Sequence, residues 1–176
     1  MTKVCDNRSV GVLIQRGGMW LVFERATPPA GVAPVAGHVD DHGSPEAAAV
    51  AEVSEEVGLT VVGLELLLNV TLPNVCRRPG GDHHEWWVYR AGVYGDVAAS
   101  ERETRNPRWV AGRDLQDLAD WTVERAHGRM SEAEFEADPG LEPVWCWLLD
   151  RLGIVDLEPG DLDPILALAA TPPRPR

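Results

Sequence analysis

From Ser44 to Gly58 the chain reads Ser-Pro-Glu-Ala-Ala-Ala-Val-Ala-Glu-Val-Ser-Glu-Glu-Val-Gly, and this segment constrains the fold more than any other. Ser44 is a good N-cap, Pro45 suits the first helical position, and Glu46 suits the positive end of the helix dipole. Gly58 is a natural stop. The helix so defined places Glu52, Glu55 and Glu56 on one face, at offsets of three and four. They fall in the last turns, where the dipole favours cations. Each like-charge pair and each misplaced acid costs roughly 0.3–1 kcal/mol. No Lys or Arg lies anywhere between residues 26 and 76, while seven acids do. Two readings fit: a solvated acidic face, or a binding site for a hard divalent cation, which prefers oxygen ligands.

The rest of the pattern surrounds this helix with strands. Residues 8–26 predict a β-hairpin, with Val10, Val12 and Ile14 on one side of an alternating run and Gly17-Gly18 at the turn. Trp20, Val22 and Phe23 continue the return strand. Residues 27–36, with three prolines, read as loop. Strands are predicted at 60–71, 84–94 and 109–110, with a turn at Pro79-Gly80-Gly81-Asp82 and a polar loop over 95–108. Helices are predicted at 113–127, after Ser131 through a capping box with Glu134, and over 144–152, where Gly153 ends the last. Strands alternate with helices, but hairpins also occur. The expected class is α/β, with a mixed central sheet covered by helices. A length of 176 residues suits a single domain. Residues 1–158 are expected to form it, with 159–176 a Pro-rich, loosely ordered C-terminal tail.

A formal net charge of −12 argues against binding a nucleic acid polymer or an anionic membrane. It leaves room for a small phosphate ligand bridged by a cation. The three cysteines, Cys5, Cys76 and Cys146, are too few and too scattered for a disulfide framework. Cys76, His83 and His84 invite a zinc reading. Adjacent histidines on a strand point to opposite faces, however, and no fourth ligand stands at a suitable spacing, so Cys76 reads as an ordinary thiol. No signal peptide or transmembrane run is seen, which makes a reduced cytoplasmic location the expectation.

Residues 37–59 as a whole resemble the Nudix box, a loop–helix–loop written GX5EX7REUXEEXGU with U aliphatic. Gly37 matches its first glycine, and Glu52-Val53-Ser54-Glu55-Glu56-Val57-Gly58-Leu59 matches its second half without a gap. Phe23-Glu24-Arg25, Pro28-Pro29 and Gly31 are similar to the family's approach to the box. Trp109-Val110 and Asp114-Leu115 extend the likeness downstream, so that it spans about residues 8–155. The pattern is departed from in three ways: the glycine pair before the box is reduced to Ala36-Gly37, and two charged residues are lost, with Gly43 replacing the early glutamate and Ala51 the arginine. In the family those two residues are held to support the box, which here must be held another way, through Asp40 or Glu46.

The resemblance implies a Nudix-type α/β/α sandwich. It also implies Mg²⁺-dependent hydrolysis (Mn²⁺ a possible substitute) of a diphosphate bond in a nucleoside diphosphate-linked or related small molecule. Glu52, Glu55 and Glu56 are then the catalytic and metal-binding carboxylates, with the Gly37 carbonyl as a further ligand. The general base is one of these glutamates or an acid on the later loop, Glu101 or Glu103. Arg25, Arg77 and Arg78 are candidate phosphate contacts, and Trp86 is the candidate for stacking on a base. Homodimers are common in the family. The loss of charge at Gly43 and Ala51 supports an alternative, a catalytically weakened nucleotide-binding or sensor module.

Overall fold

The computed structural model describes residues 3–172. Seven strands form one mixed sheet: β1 (Arg8–Arg16), β2 (Met19–Arg25), β3 (Val32–Ala33), β4 (Val35–His38), β5 (Thr60–Leu72), β6 (His84–Tyr94) and β7 (Thr104–Val110). The order β3-β2-β1-β6-β5 runs through the sheet, with β4 pairing to β1 and β7 to β2. The β1–β6 pair is parallel; the remaining pairs are antiparallel. Five helices follow the chain: α1 (Pro45–Val57), α2 (Gly112–Ala126), α3 (Glu132–Ala137), α4 (Pro143–Arg151) and α5 (Leu162–Ala169).

The alternation of β1 sets the layers. Val10, Val12 and Ile14 pack with Ala48, Ala49, Val53 and Val57 of α1. Leu13 faces the other way, into a cluster that includes Leu115, Trp145, Leu148 and Ile165 from α2, α4 and α5. Gly11 shares that second face, and a β-carbon there would collide with the Trp145 ring. The expected α/β/α sandwich with a mixed sheet is therefore the fold.

The local signals in α1 act as read. The Ser44 hydroxyl accepts from the Ala47 N–H at 3.2 Å, Pro45 opens the helix, and Gly58 closes it at φ 69°, donating to the Ser54 carbonyl. Gly17 and Gly18 turn the first hairpin at φ 58° and 79°.

Besides residues 27–36, predicted as loop but holding β3 and the start of β4, two expectations change. The segment from Pro159 is not loose throughout: α5 forms within it and buries Ile165 completely. Leu162, Ile165, Leu166 and Ala169 recur at helical spacing and join the α2–α4 cluster, which offsets the ordering entropy. Residues 173–176 lie outside the described residues. The second change is in the polar loop, whose last part pairs with β2 as β7, beginning at Thr104. No helix among the described residues is long and apolar enough to cross a membrane.

Candidate active site

The C-terminal half of α1 faces β4. Glu52 and Glu56, one helical turn apart, share that face, and the Glu56 carboxylate accepts the Ala36 N–H at 3.0 Å. Gly37 is next in the strand. A β-carbon on Gly37 would overlap the Glu52 side chain, so only glycine lets the strand pass this close to the carboxylate. Glu56 is 7% exposed and Glu52 is half-buried.

A third carboxylate arrives from the loop between β6 and β7. The Ala98 and Ser100 N–H groups donate to the Val57 and Glu56 carbonyls at 2.9 Å each, satisfying acceptors that the helix end leaves open. The Ala26 N–H holds the Glu103 carbonyl at 3.0 Å. Glu103 is thereby brought to α1, and Glu52, Glu56 and Glu103 each offer an oxygen within 4.8 Å of the others.

The electrostatics follow from that crowding. Burial, then the charges of Glu55, Glu103 and Asp40, push Glu52 up to about 8. Burial and the Glu52 charge raise Glu56 well above the usual carboxylate range, against the opposing pull of the Ala36 N–H and Arg25. Glu52 and Glu56 therefore stay partly protonated until a cation compensates them. The donors are all hard oxygens, and the set fits Mg²⁺ or Mn²⁺.

The other expected residues fall in several places. Glu55 is exposed and stands outside the three-carboxylate cluster, and its charge contributes to raising Glu52. Glu101 is exposed and also outside it. Arg25 is half-buried and forms an ion pair with buried Glu142 at 3.1 Å; its Nε is buried without a partner, and its charge reaches Glu56. Arg77 is exposed. Arg78 is committed to Asp40, donating to both carboxylate oxygens at 2.8 Å, and its charge extends to Glu52.

Trp86 is a correction. It is 5% exposed, donates its indole N–H to Asn74 Oδ1 at 2.9 Å, and packs edge-on against Trp145 at 5.9 Å. The parity of β6 turns it into the α4 core, so its ring is not open to a ligand. Trp87 takes the opposite face, partly buried beside the α1 cluster, with the Arg8 guanidinium 5.2 Å from its ring centre.

The departures from the box pattern have physical counterparts. Gly43 adopts φ 87°, a conformation that glutamate would enter only with strain. Asp40 anchors the loop: its carboxylate binds Arg78 and Lys3, and its N–H donates to Asp6 Oδ2 at 2.7 Å. Glu142, the partner of Arg25, carries no local signal, since it lies 117 positions away.

A mixed sheet between helices, with a glycine-bearing strand, an acidic helix and a loop carboxylate converging at one point, defines a domain of the Nudix type. The chain belongs to the NUDIX domain family, whose model matches residues 6–132. It is 39% identical over 83 residues to a Mycobacterium tuberculosis protein named "Putative 8-oxo-dGTP diphosphatase 3", in strains CDC 1551 and H37Rv. That match covers 45% of this chain and only 36% of the relative's length. Among solved structures, the MutT NUDIX hydrolase of Burkholderia pseudomallei superposes with a TM-score of 0.54 at 24% identity, covering 61% of this chain and 84% of that one. The E. coli dihydroneopterin triphosphate pyrophosphohydrolase superposes with a TM-score of 0.52 at 21% identity, covering 64% and 86%. At these identities the likeness is one of fold.

Proposed function

We propose that this chain hydrolyses, with Mg²⁺ or Mn²⁺, a diphosphate bond in a nucleoside diphosphate-linked or related small molecule. The observation that carries this reading is the convergence of Glu52, Glu56 and Glu103 within 4.8 Å, where Gly37 lets β4 pack directly against Glu52. Glu52 and Glu56 hold the cation, with the Gly37 carbonyl as a further oxygen donor. When bound, a divalent ion neutralises the diphosphate, polarises its P–O bonds and acidifies a water. Glu103, on a loop rather than on the helix, would serve as general base toward the attacking water. Glu55 stays at the rim and supplies negative charge. Arg25 stands behind Glu56 and offers a cation toward the phosphates. Arg77 and Arg78 are further candidate phosphate contacts, with Arg78 acting through Asp40.

The named relative makes 8-oxo-dGTP the first substrate to try, followed by ordinary nucleoside triphosphates, dinucleoside polyphosphates, nucleotide sugars and ADP-ribose. Turnover should require Mg²⁺ or Mn²⁺ and should disappear in Glu56→Gln. Metal-independent turnover, or turnover unchanged in that variant, would refute the reading.

A further inference from the structure

The structure gathers a second set of ligands behind the box loop. Cys5, from the segment preceding β1, His38, the last residue of β4, Cys76, in the β5–β6 loop, and His84, the first residue of β6, each offer one atom within 4.8 Å of the others. Cys5 and His84 are buried, while His38 and Cys76 are half-buried. Cys5 Sγ lies 3.2 Å from His84 Nε2. A tetrahedral zinc with bonds of ~2.3 Å to sulfur and ~2.0 Å to nitrogen has S···N edges of roughly 3.5 Å. We propose that Cys5, His38, Cys76 and His84 form a closed structural zinc site, separate from the carboxylate cluster.

The surroundings of each ligand prepare it for this role. His84 Nδ1 sits 2.9 Å from the Asn74 carbonyl, which can only accept, so Nδ1 carries the proton and Nε2 turns its lone pair toward Cys5. His38 Nε2 is buried without a hydrogen-bond partner, and in the tautomer that leaves it unprotonated its lone pair is free for a metal. Both sulfurs receive backbone N–H groups two residues on: Asn7 donates to Cys5 Sγ and Arg78 to Cys76 Sγ, each at 3.3 Å. The Asn7 donor favours the Cys5 thiolate, against the burial that pushes this thiol up to about 11 in the metal-free chain.

The chain is also folded around the sulfurs. The Cys5 N–H donates to the Pro79 carbonyl at 2.9 Å and the Cys76 N–H to the Gly81 carbonyl at 3.0 Å. A β-carbon on Gly81 would meet Cys76 Sγ, and would lie 3.1 Å from Cys5 Sγ, so glycine keeps that wall open.

The donor chemistry selects the metal. Two thiolates and two imidazoles suit zinc, whereas magnesium prefers oxygen. On binding, each thiol releases its proton to solvent as its Zn–S bond forms. The two thiolate charges then balance the dication, leaving a neutral buried centre. The consequence reaches the active site, because His38 directly follows Gly37. Zinc would tie the N-terminal segment, the box loop and the Cys76 loop together where Gly43 and Ala51 no longer provide charged supports.

The test is metal analysis of the full chain carrying Glu52→Gln and Glu56→Gln, so that the carboxylates do not compete. Protein from zinc-supplemented cells should keep about one zinc per chain through dialysis. Cobalt replacement should give sulfur-to-cobalt charge transfer and tetrahedral visible bands. His38→Asn, at the half-exposed side, should lower zinc affinity by more than ~10-fold with the fold retained by circular dichroism, and Cys5→Ser/Cys76→Ser should abolish the cobalt–thiolate signal. The proposal fails if the zinc content is negligible, if cobalt shows no thiolate signal, if Cys5→Ser/Cys76→Ser binds zinc equally well, or if fresh protein carries a Cys5–Cys76 disulfide. None of these readings depends on turnover, so the result stands apart from the proposed activity.

Discussion

The α-carbon of Gly37 lies so close to Glu52 that any side chain at position 37 would occupy the carboxylate's place. The glycine and the glutamate are separated by the whole first half of α1 and its leading loop, yet each fixes the other. Gly37→Ala should displace Glu52 by a fraction of an ångström or more and lower kcat/KM by ~10²-fold, with a much smaller change in unfolding free energy. Steady-state kinetics beside a urea titration would check this; wild-type kinetics would refute the close fit.

Glu103 and Glu101 lie two residues apart on one loop but differ in place. Glu103→Gln should cost ~10²–10⁴-fold in kcat, the range of a lost general base, whereas Glu101→Gln should be neutral. Equal losses in both variants would remove Glu103 from its assigned role.

The protonation of Glu52 gives stability a definite slope with pH in the absence of Mg²⁺. Its carboxyl is raised from 4.5 to about 8 in the fold. Between those values the folded state holds a proton that the unfolded chain has lost. Stability therefore falls as pH rises through that window, by at most about 1.4 kcal/mol per pH unit for one group. Saturating Mg²⁺, which requires the ionised form, should bind more tightly toward pH 8 and offset the loss. Urea midpoints at pH 5 and pH 8, with and without Mg²⁺, would show this, and Glu52→Gln should flatten the metal-free slope.

Trp86→Phe separates a structural role from a binding role. It keeps the edge contact with Trp145 but leaves the buried Asn74 Oδ1 without its donor. The expected cost is ~1–3 kcal/mol of stability with KM unchanged. A raised KM at unchanged stability would return the ring to the substrate pocket.

The Arg78–Asp40 pair holds the box loop from outside. Both carboxylate oxygens are bound, and Asp40 sits at φ 45°, a conformation that needs support. Arg78→Ala should cost about 1–3 kcal/mol of stability, as for a hydrogen bond to a charged group. It should also lower kcat more than an equivalent loss at exposed Arg77. Equal kinetics for the two variants would show that the pair does not position the loop.

Local chemistry made much of this molecule legible in its sequence. The caps of α1, the glycine turn at residues 17–18, the alternation of β1, and the spacing of Glu52 and Glu56 all act between neighbours or one helical turn apart, so the chain states them directly. The sequence alone determined a mixed sheet under helices and an acidic helix in need of a cation. Tertiary structure decided which carboxylates meet. It left Glu55 and Glu101 exposed outside the cluster and brought Glu103 into it, because loop amides dock on the open carbonyls of α1. The parity of β6 settled the fate of Trp86, since the face that a strand residue takes depends on what packs above and below it. The zinc reading looked incomplete because spacing along the chain was its only guide. Cys5 and His84 stand 79 positions apart, and only the pairing of β1 with both β4 and β6 brings their segments together. Contacts of that range follow from the closing of the sheet, which no local run of residues encodes.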